Sequence, residues 1–157
     1  MKFILSIFFG VMALATASSA NLHTNIQTTQ DVPKDTSVRM ASTTIRAPRG
    51  SISALVADTD ALRQHGLSDR ESLSDDMGMI FMFPESRTQA FWMKDMHFPL
   101  DIIWIDANKR VVGIADDLSP DTYPEAFVSP VPVMYVLEVN AGQAAHFGIE
   151  KGIQLSF

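Results

Sequence analysis

From residue 42 onward the chain consists of short apolar runs, each soon halted by Pro, Gly, Asn or paired Asp, and this punctuation reads as strands joined by turns. Residues 42–47 and 51–57 flank Pro48-Arg49-Gly50 and predict a hairpin. Asp58-Thr59-Asp60 supplies capping oxygens for a short helix over 61–65, which Gly66 can close in the left-handed conformation. Further strands are expected at 79–83, 88–93, 100–106, 110–115, 133–139 and 153–157, with a tight polar turn at Ala107-Asn108. Asn140 is placed to cap a second helix over 141–147, ended by Gly148. The stretch 118–132 is too rich in Pro for regular pairing and reads as a covering loop, either a lid or a plain crossover. The expected fold is α+β and β-dominant, a compact single domain over 41–157 with about eight strands and two short helices, a pattern that also suits a small barrel.

Charge and composition remove several function classes. A net charge of −6 and the lack of any basic run argue against nucleic-acid binding, which needs clustered Lys and Arg to displace counterions from phosphates. With no cysteine, the chain has no disulfide scaffold, thiolate zinc site, iron–sulfur centre or cysteine nucleophile. No dinucleotide fingerprint, phosphate loop or serine elbow is present, and no motif calls for a cofactor.

The N-terminus has its own grammar. Lys2, the apolar stretch Phe3 to Ala15 and the small residues Ser18-Ser19-Ala20 form the three regions of a secretory signal peptide over 1–20, cleaved after Ala20. The apolar run is shorter than the roughly 20 residues that span a bilayer, so an exported protein without a transmembrane helix after cleavage is expected, most simply in the periplasm. Residues 21–40 are polar and aperiodic and read as a flexible lead-in, with His23 a solvated side chain in it.

Four strings then carry a likeness: GMIFMFP at Gly78–Pro84, FWMKDMHFPLDIIWID at Phe91–Asp106, Tyr135-Val-Leu-Glu138 and Ala141-Gly142. Over about residues 51–157 the chain resembles domain of unknown function 192, a bacterial and archaeal family without an established activity. The resemblance implies a compact β-rich domain, commonly exported or membrane-tethered. Two segments depart from the family's habit. His65-Gly66-Leu67-Ser68 leads to Arg70 where Arg-Gly-Leu-Met leading to Arg is usual, and Lys94-Asp95-Met96 stands where Lys-Asn-Thr is common.

Chemistry-bearing side chains concentrate in the same central segment. Lys94, Asp95, His97 and Asp101 follow one another closely between Trp92 and Trp104, and Pro99 interrupts any regular strand. Three readings follow. As a ligand rim, the Trp side chains are apolar platforms, with Lys94 and Asp101 as polar anchors; against this, both Trp fit the core and Lys94–Asp101 fits a structural ion pair. As a metal site, Asp95 and His97 share a strand face, with His65, Asp106 or His146 as a third donor, yet no recognised zinc spacing occurs and His97 reads better as a free loop residue. As an acid–base enzyme, hydrolase-like and with or without a metal, the Lys94–Asp101 loop would supply a carboxylate pair or a His97 base.

Two other features bear on packing. Met79, Met82 and Met93 sit in expected strands and read as core filler rather than copper(I) ligands. Glu138 stands in an otherwise apolar strand; facing inward, it would need Lys94, Arg70 or Arg63, since an unpaired buried carboxylate is costly. The expectation carried forward is an exported, non-catalytic module binding a small ligand or an envelope protein through Trp92, Lys94, Asp95, His97 and Asp101, with an acid–base enzyme as the alternative.

Overall fold

The computed structural model describes residues 40–157. The signal peptide and nearly all of the lead-in expected before them lie outside the described residues. The elements in chain order are β1 (Ser42–Ala47), β2 (Gly50–Ala57), α1 (Asp60–His65), β3 (Met77–Arg87), β4 (Ala90–Phe91), β5 (Leu100–Ile105), β6 (Val111–Leu118), β7 (Phe127–Val128), β8 (Val133–Asn140) and α2 (Gln143–His146). The β-dominant α+β class and the strand count agree with expectation.

A six-stranded sheet runs in the order β1-β2-β3-β8-β5-β6, and β4 pairs with β7 in a separate two-stranded sheet. Only β2 and β3 pair in parallel, with α1 in the connection between them; the other ladders are antiparallel. Strand β8 is central and β5 lies between it and β6, so both are flanked on each side. Accordingly every residue of β5 is buried, as a doubly flanked and doubly covered strand requires.

The barrel expectation does not hold, because the sheet remains open with β1 and β6 as its edges. The segment 153–157 is not a full strand either. After the turn at Lys151-Gly152 it crosses between the edges, making one isolated bridge from Ser156 to Arg46 of β1 and another from Gln154 to Arg110 beside β6. The expected strand at 88–93 contracts to β4. Its partner β7 lies inside the Pro-rich stretch thought unable to pair, and Ala90 and Phe91 sit opposite Val128 and Phe127.

The period-two alternation of the strands sorts the core into two halves. On one face Ile52, Ala54, Ile80, Ile103, Leu137 and Val139 pack under Ala144 and Phe147 of the α2 region, with Ile149 and Leu155. On the other, Met79, Phe81, Ile102, Trp104 and Val136 pack under Leu67, Met93 and the partly buried Phe91 and Phe127. Met79 and Met93 are filler, as read from the sequence.

Local chemistry explains the helix ends. Thr59 is the N-cap of α1, its hydroxyl accepting from the Leu62 N–H at 3.3 Å, and Gly66 closes the helix at φ 57°. The N-cap of α2 is Gly142 rather than Asn140. Asn140 instead ends β8 and donates its side-chain amide to the Leu73 carbonyl at 2.7 Å and to Asp75 at 3.2 Å, tying down the 66–76 loop.

Candidate functional site

Glu138 occupies the centre of the sheet. On β8 it pairs with Met79 of β3 and Ile102 of β5, so it projects from the face that carries Phe81, Trp104 and Val136. The face is covered over most of its area by α1, the loop after it, β4 and the loop after β4. Above Glu138 these covers stand apart and leave a cavity of about 560 Å³. Its apolar walls are Leu67, Phe81, Phe83, Phe91 and Met96.

Glu138 is only 5% exposed, and among the described residues no hydrogen bond or ion pair reaches its carboxyl. None of the three partners that an inward Glu138 was expected to need serves it. Arg63 turns to Asp60 at 2.6 Å, donates to the Met82 carbonyl at 2.7 Å and lies over the Phe83 ring. Lys94 pairs with Asp95 at 3.6 Å. Loss of hydration alone pushes the Glu138 carboxyl from 4.5 up to about 8, so it holds its proton at neutral pH. A neutral carboxylic acid carries one O–H donor beside its acceptor oxygens, and both functions face the cavity.

The rim comes from two loops. Ser68 donates from its hydroxyl to the Lys94 carbonyl at 3.2 Å, and the Asp69 N–H donates to the Asp95 carbonyl at 3.0 Å. Asp69 and Asp95 both adopt left-handed backbone, at φ 63° and 57°, a conformation that Asp tolerates better than most side chains. Residues held in such conformations concentrate at ligand sites, where surrounding contacts fix them. Trp92 stands at the mouth, 59% exposed, its ring edge-to-face with exposed Tyr123 at 6.3 Å.

Of the five side chains singled out from sequence, the cavity gathers Trp92, Lys94 and Asp95. His97 is exposed and takes no part in the lining. Asp101 is 1% exposed and structural. One oxygen accepts the Asp117 N–H at 3.0 Å, inside a bulge of β6, and the other accepts the Ala144 N–H at 3.0 Å, at the start of α2. The expected Lys94–Asp101 ion pair is therefore replaced by Lys94–Asp95. The two Trp also part company, Trp104 being core at 2% exposure and Trp92 not. Among the described residues no three His, Asp or Glu side chains are grouped so as to hold a metal ion. The sequence reading did not include Gln64, Ser68, Asp69 and Gln89, all of which line the cavity. Gln64, Ser68 and Asp69 belong to α1 and the turn after it, far from the central segment in sequence, and Gln89 lies just before that segment in the β3–β4 connection; no motif marks any of them as binding residues.

The comparisons with known proteins follow the same outline. The model of the family DUF192, described as "Uncharacterized ACR", matches residues 27–157. The chain belongs to this family. A crystal structure described as a putative transcription regulator from Sinorhizobium meliloti is similar at 30% identity, with a TM-score of 0.70, over 74% of this chain and 94% of that one. A protein of unknown function from Novosphingobium aromaticivorans is similar at 32% identity, with a TM-score of 0.67, over 75% of this chain and 85% of that one. No curated protein matches.

Proposed function

We propose that this DUF192 chain is an exported, non-catalytic module of the cell envelope that binds a small ligand in the cavity above Glu138. The observation that carries the reading is a buried carboxyl, without a partner among the described residues, on the floor of a cavity whose size lies within the roughly 300–1,000 Å³ usual for ligand sites. The carboxyl oxygens bond to none of the described residues and are not sealed from solvent, so the cavity is the route by which water or a ligand meets them. The binding residues on this reading are Glu138, Trp92, Lys94 and Asp95, with Gln64, Gln89 and Asp69 beside them. Export rests on Lys2, the apolar run to Ala15 and the small residues before Asn21.

A second reading is favoured by one observation, the proton that Glu138 keeps up to about pH 8. Such a group can act as general acid in an acid–base enzyme, with Asp69 or Asp95 at the rim as its counterpart. This places the acid on β8, not on the Lys94–Asp101 loop. The regulator description of the S. meliloti protein has no counterpart in this chain's charge, since a net −6 without a basic run offers phosphates nothing to neutralise them.

The test is the melting temperature of the purified domain against divalent metals, amines, sugars and short cell-wall peptides. A ligand at about a hundred times its Kd adds roughly 2.7 kcal/mol, a rise of several degrees at this size. A rise that disappears in Glu138→Leu supports the binding cavity. A flat panel overturns it. Turnover of any panel member, lost in Glu138→Gln, moves the assignment to the enzyme.

A further inference from the structure

We propose that the ligand of this cavity is a neutral sugar, with one pyranose face on Trp92 and its hydroxyls reaching the Glu138 carboxyl and the Gln64 and Gln89 amides. The inference rests on the cavity being a ligand site and names the chemistry that site selects.

Charge excludes one class. An anion entering the cavity meets Asp69 and Asp95, while the Arg and Lys side chains of the lining are already in contact with acceptors, Arg63 with Asp60 and the Met82 carbonyl and Lys94 with Asp95. Beside these, the lining offers the Glu138 carboxyl and the Gln64 and Gln89 primary amides. Each both donates and accepts, except a carboxyl that has lost its proton. Hydroxyl groups do the same, so a polyol can satisfy this set in many orientations without bringing a charge into a place where charge is expensive.

Shape and surface agree. Trp92 is far more exposed than a core aromatic, yet Tyr123 holds its ring by an edge-to-face contact at the cavity mouth. An exposed indole steadied at a cavity mouth is a platform for the C–H face of a pyranose, whose slightly positive hydrogens meet the negative π surface. Phe83, Phe91 and Met96 offer half-buried apolar wall, the Glu138 carboxyl is the buried polar group and the Gln64 and Gln89 amides stand nearer the surface, so the lining mixes apolar wall with polar groups as a molecule with one apolar face and a polar edge requires.

The same platform could hold an organic cation by its π face, which would then ionise Glu138. The two ligand classes are told apart by Glu138→Gln, which keeps a neutral donor and acceptor but removes the capacity for negative charge. The probes are maltose, tetramethylammonium and inorganic phosphate, followed by the indole N–H resonance of Trp92 with buried Trp104 as internal reference. The expected result is a saturable shift of Trp92 with maltose alone. Affinity then falls about tenfold in Trp92→Ala. It falls a further comparable amount in Glu138→Leu and stays within about threefold in Glu138→Gln. Saturation by tetramethylammonium, abolished in Glu138→Gln, overturns the sugar while the binding cavity stands. Saturation by phosphate overturns the charge argument in the same way. If all three probes leave Trp92 unmoved and another compound raises the melting temperature, the sugar is wrong and the cavity stands; if nothing binds by either measurement, both fall.

Discussion

Two buried carboxyl groups on adjacent strands of one sheet behave in opposite ways. Asp101 lies opposite Val139 and Glu138 opposite Ile102, one register step apart, so the alternation of the strands sends them to opposite faces. Asp101 meets the face that α2 closes, and each of its oxygens receives a backbone N–H at 3.0 Å. Glu138 meets the face that the covers leave open, and receives none from the described residues. One carboxylate is a joint between β6 and α2; the other is a polar group kept waiting beneath a cavity. The lesson is that burial alone does not separate structural from functional acids in this fold. What separates them is whether the chain supplies the partners.

The largest effect should come from the pH dependence of stability. At pH below 4.5 the folded and unfolded chains both hold the Glu138 proton, and between 4.5 and about 8 only the folded one does. The unfolded state then binds fewer protons, so stability falls as pH rises, by about 1.4 kcal/mol per pH unit across this window, and levels off above it. Glu138→Gln should remove that slope in urea titrations, equalling the parent near pH 4 and exceeding it by several kcal/mol at pH 8. A slope unchanged in the variant would mean the carboxyl is ionised and hydrated.

Breaking the other side of the comparison, Asp101→Ala orphans two backbone N–H groups and should cost about 3 kcal/mol at every pH, read from the urea midpoint. A loss confined to ligand binding, with stability intact, would return Asp101 to the site. The filled face should also reject added volume. A Cβ on Gly78 would stand 2.7 Å from the Glu138 carbonyl oxygen and 3.1 Å from Val139, so Gly78→Ala should cost about 2 kcal/mol by thermal unfolding. The smallest effect belongs to the rim. Lys94→Ala removes an exposed pair at 3.6 Å and should change stability by less than about 0.5 kcal/mol.

Much of the scaffold was legible because it is locally determined. Thr59 and Gly66 bracket α1 as their capping chemistry predicts, and the β5–β6 turn is held by Asp106, whose carboxylate accepts the Asn108 and Arg110 N–H groups at 2.8 and 2.9 Å. Strands stopped by Pro48 to Gly50 likewise emerged as β1 and β2. The misreadings were tertiary. Asn140 has the right side chain for a cap, but Leu73 and Asp75 engage it first. Residues 88–93 are apolar enough for a longer strand, yet only β7 is there to pair with them. At the site, sequence proximity misled. Asp101 and His97 were grouped with Lys94 because they are neighbours in the chain, while the alternation of β5 turns Asp101 to the face opposite Leu100 and Ile102. Glu138 was visible as an acid in an apolar strand, but that its expected partners turn elsewhere is settled only by Asp60, Asp95 and the Met82 carbonyl.

The segment that bridges both sheet edges has a kinetic consequence. Arg46 and Ser156 stand near opposite ends of the described chain, so their pairing is the least local contact of the fold and is slow to find. Until it forms, β1 and β6 both offer unpaired amides and carbonyls, the template on which a second molecule can add a strand. The interval between sheet assembly and the arrival of Ser156 is then the period of greatest danger to the molecule. A lesion in the last residues would shorten the protein's life in solution by aggregation, even where the sheet, the cavity and Glu138 are untouched.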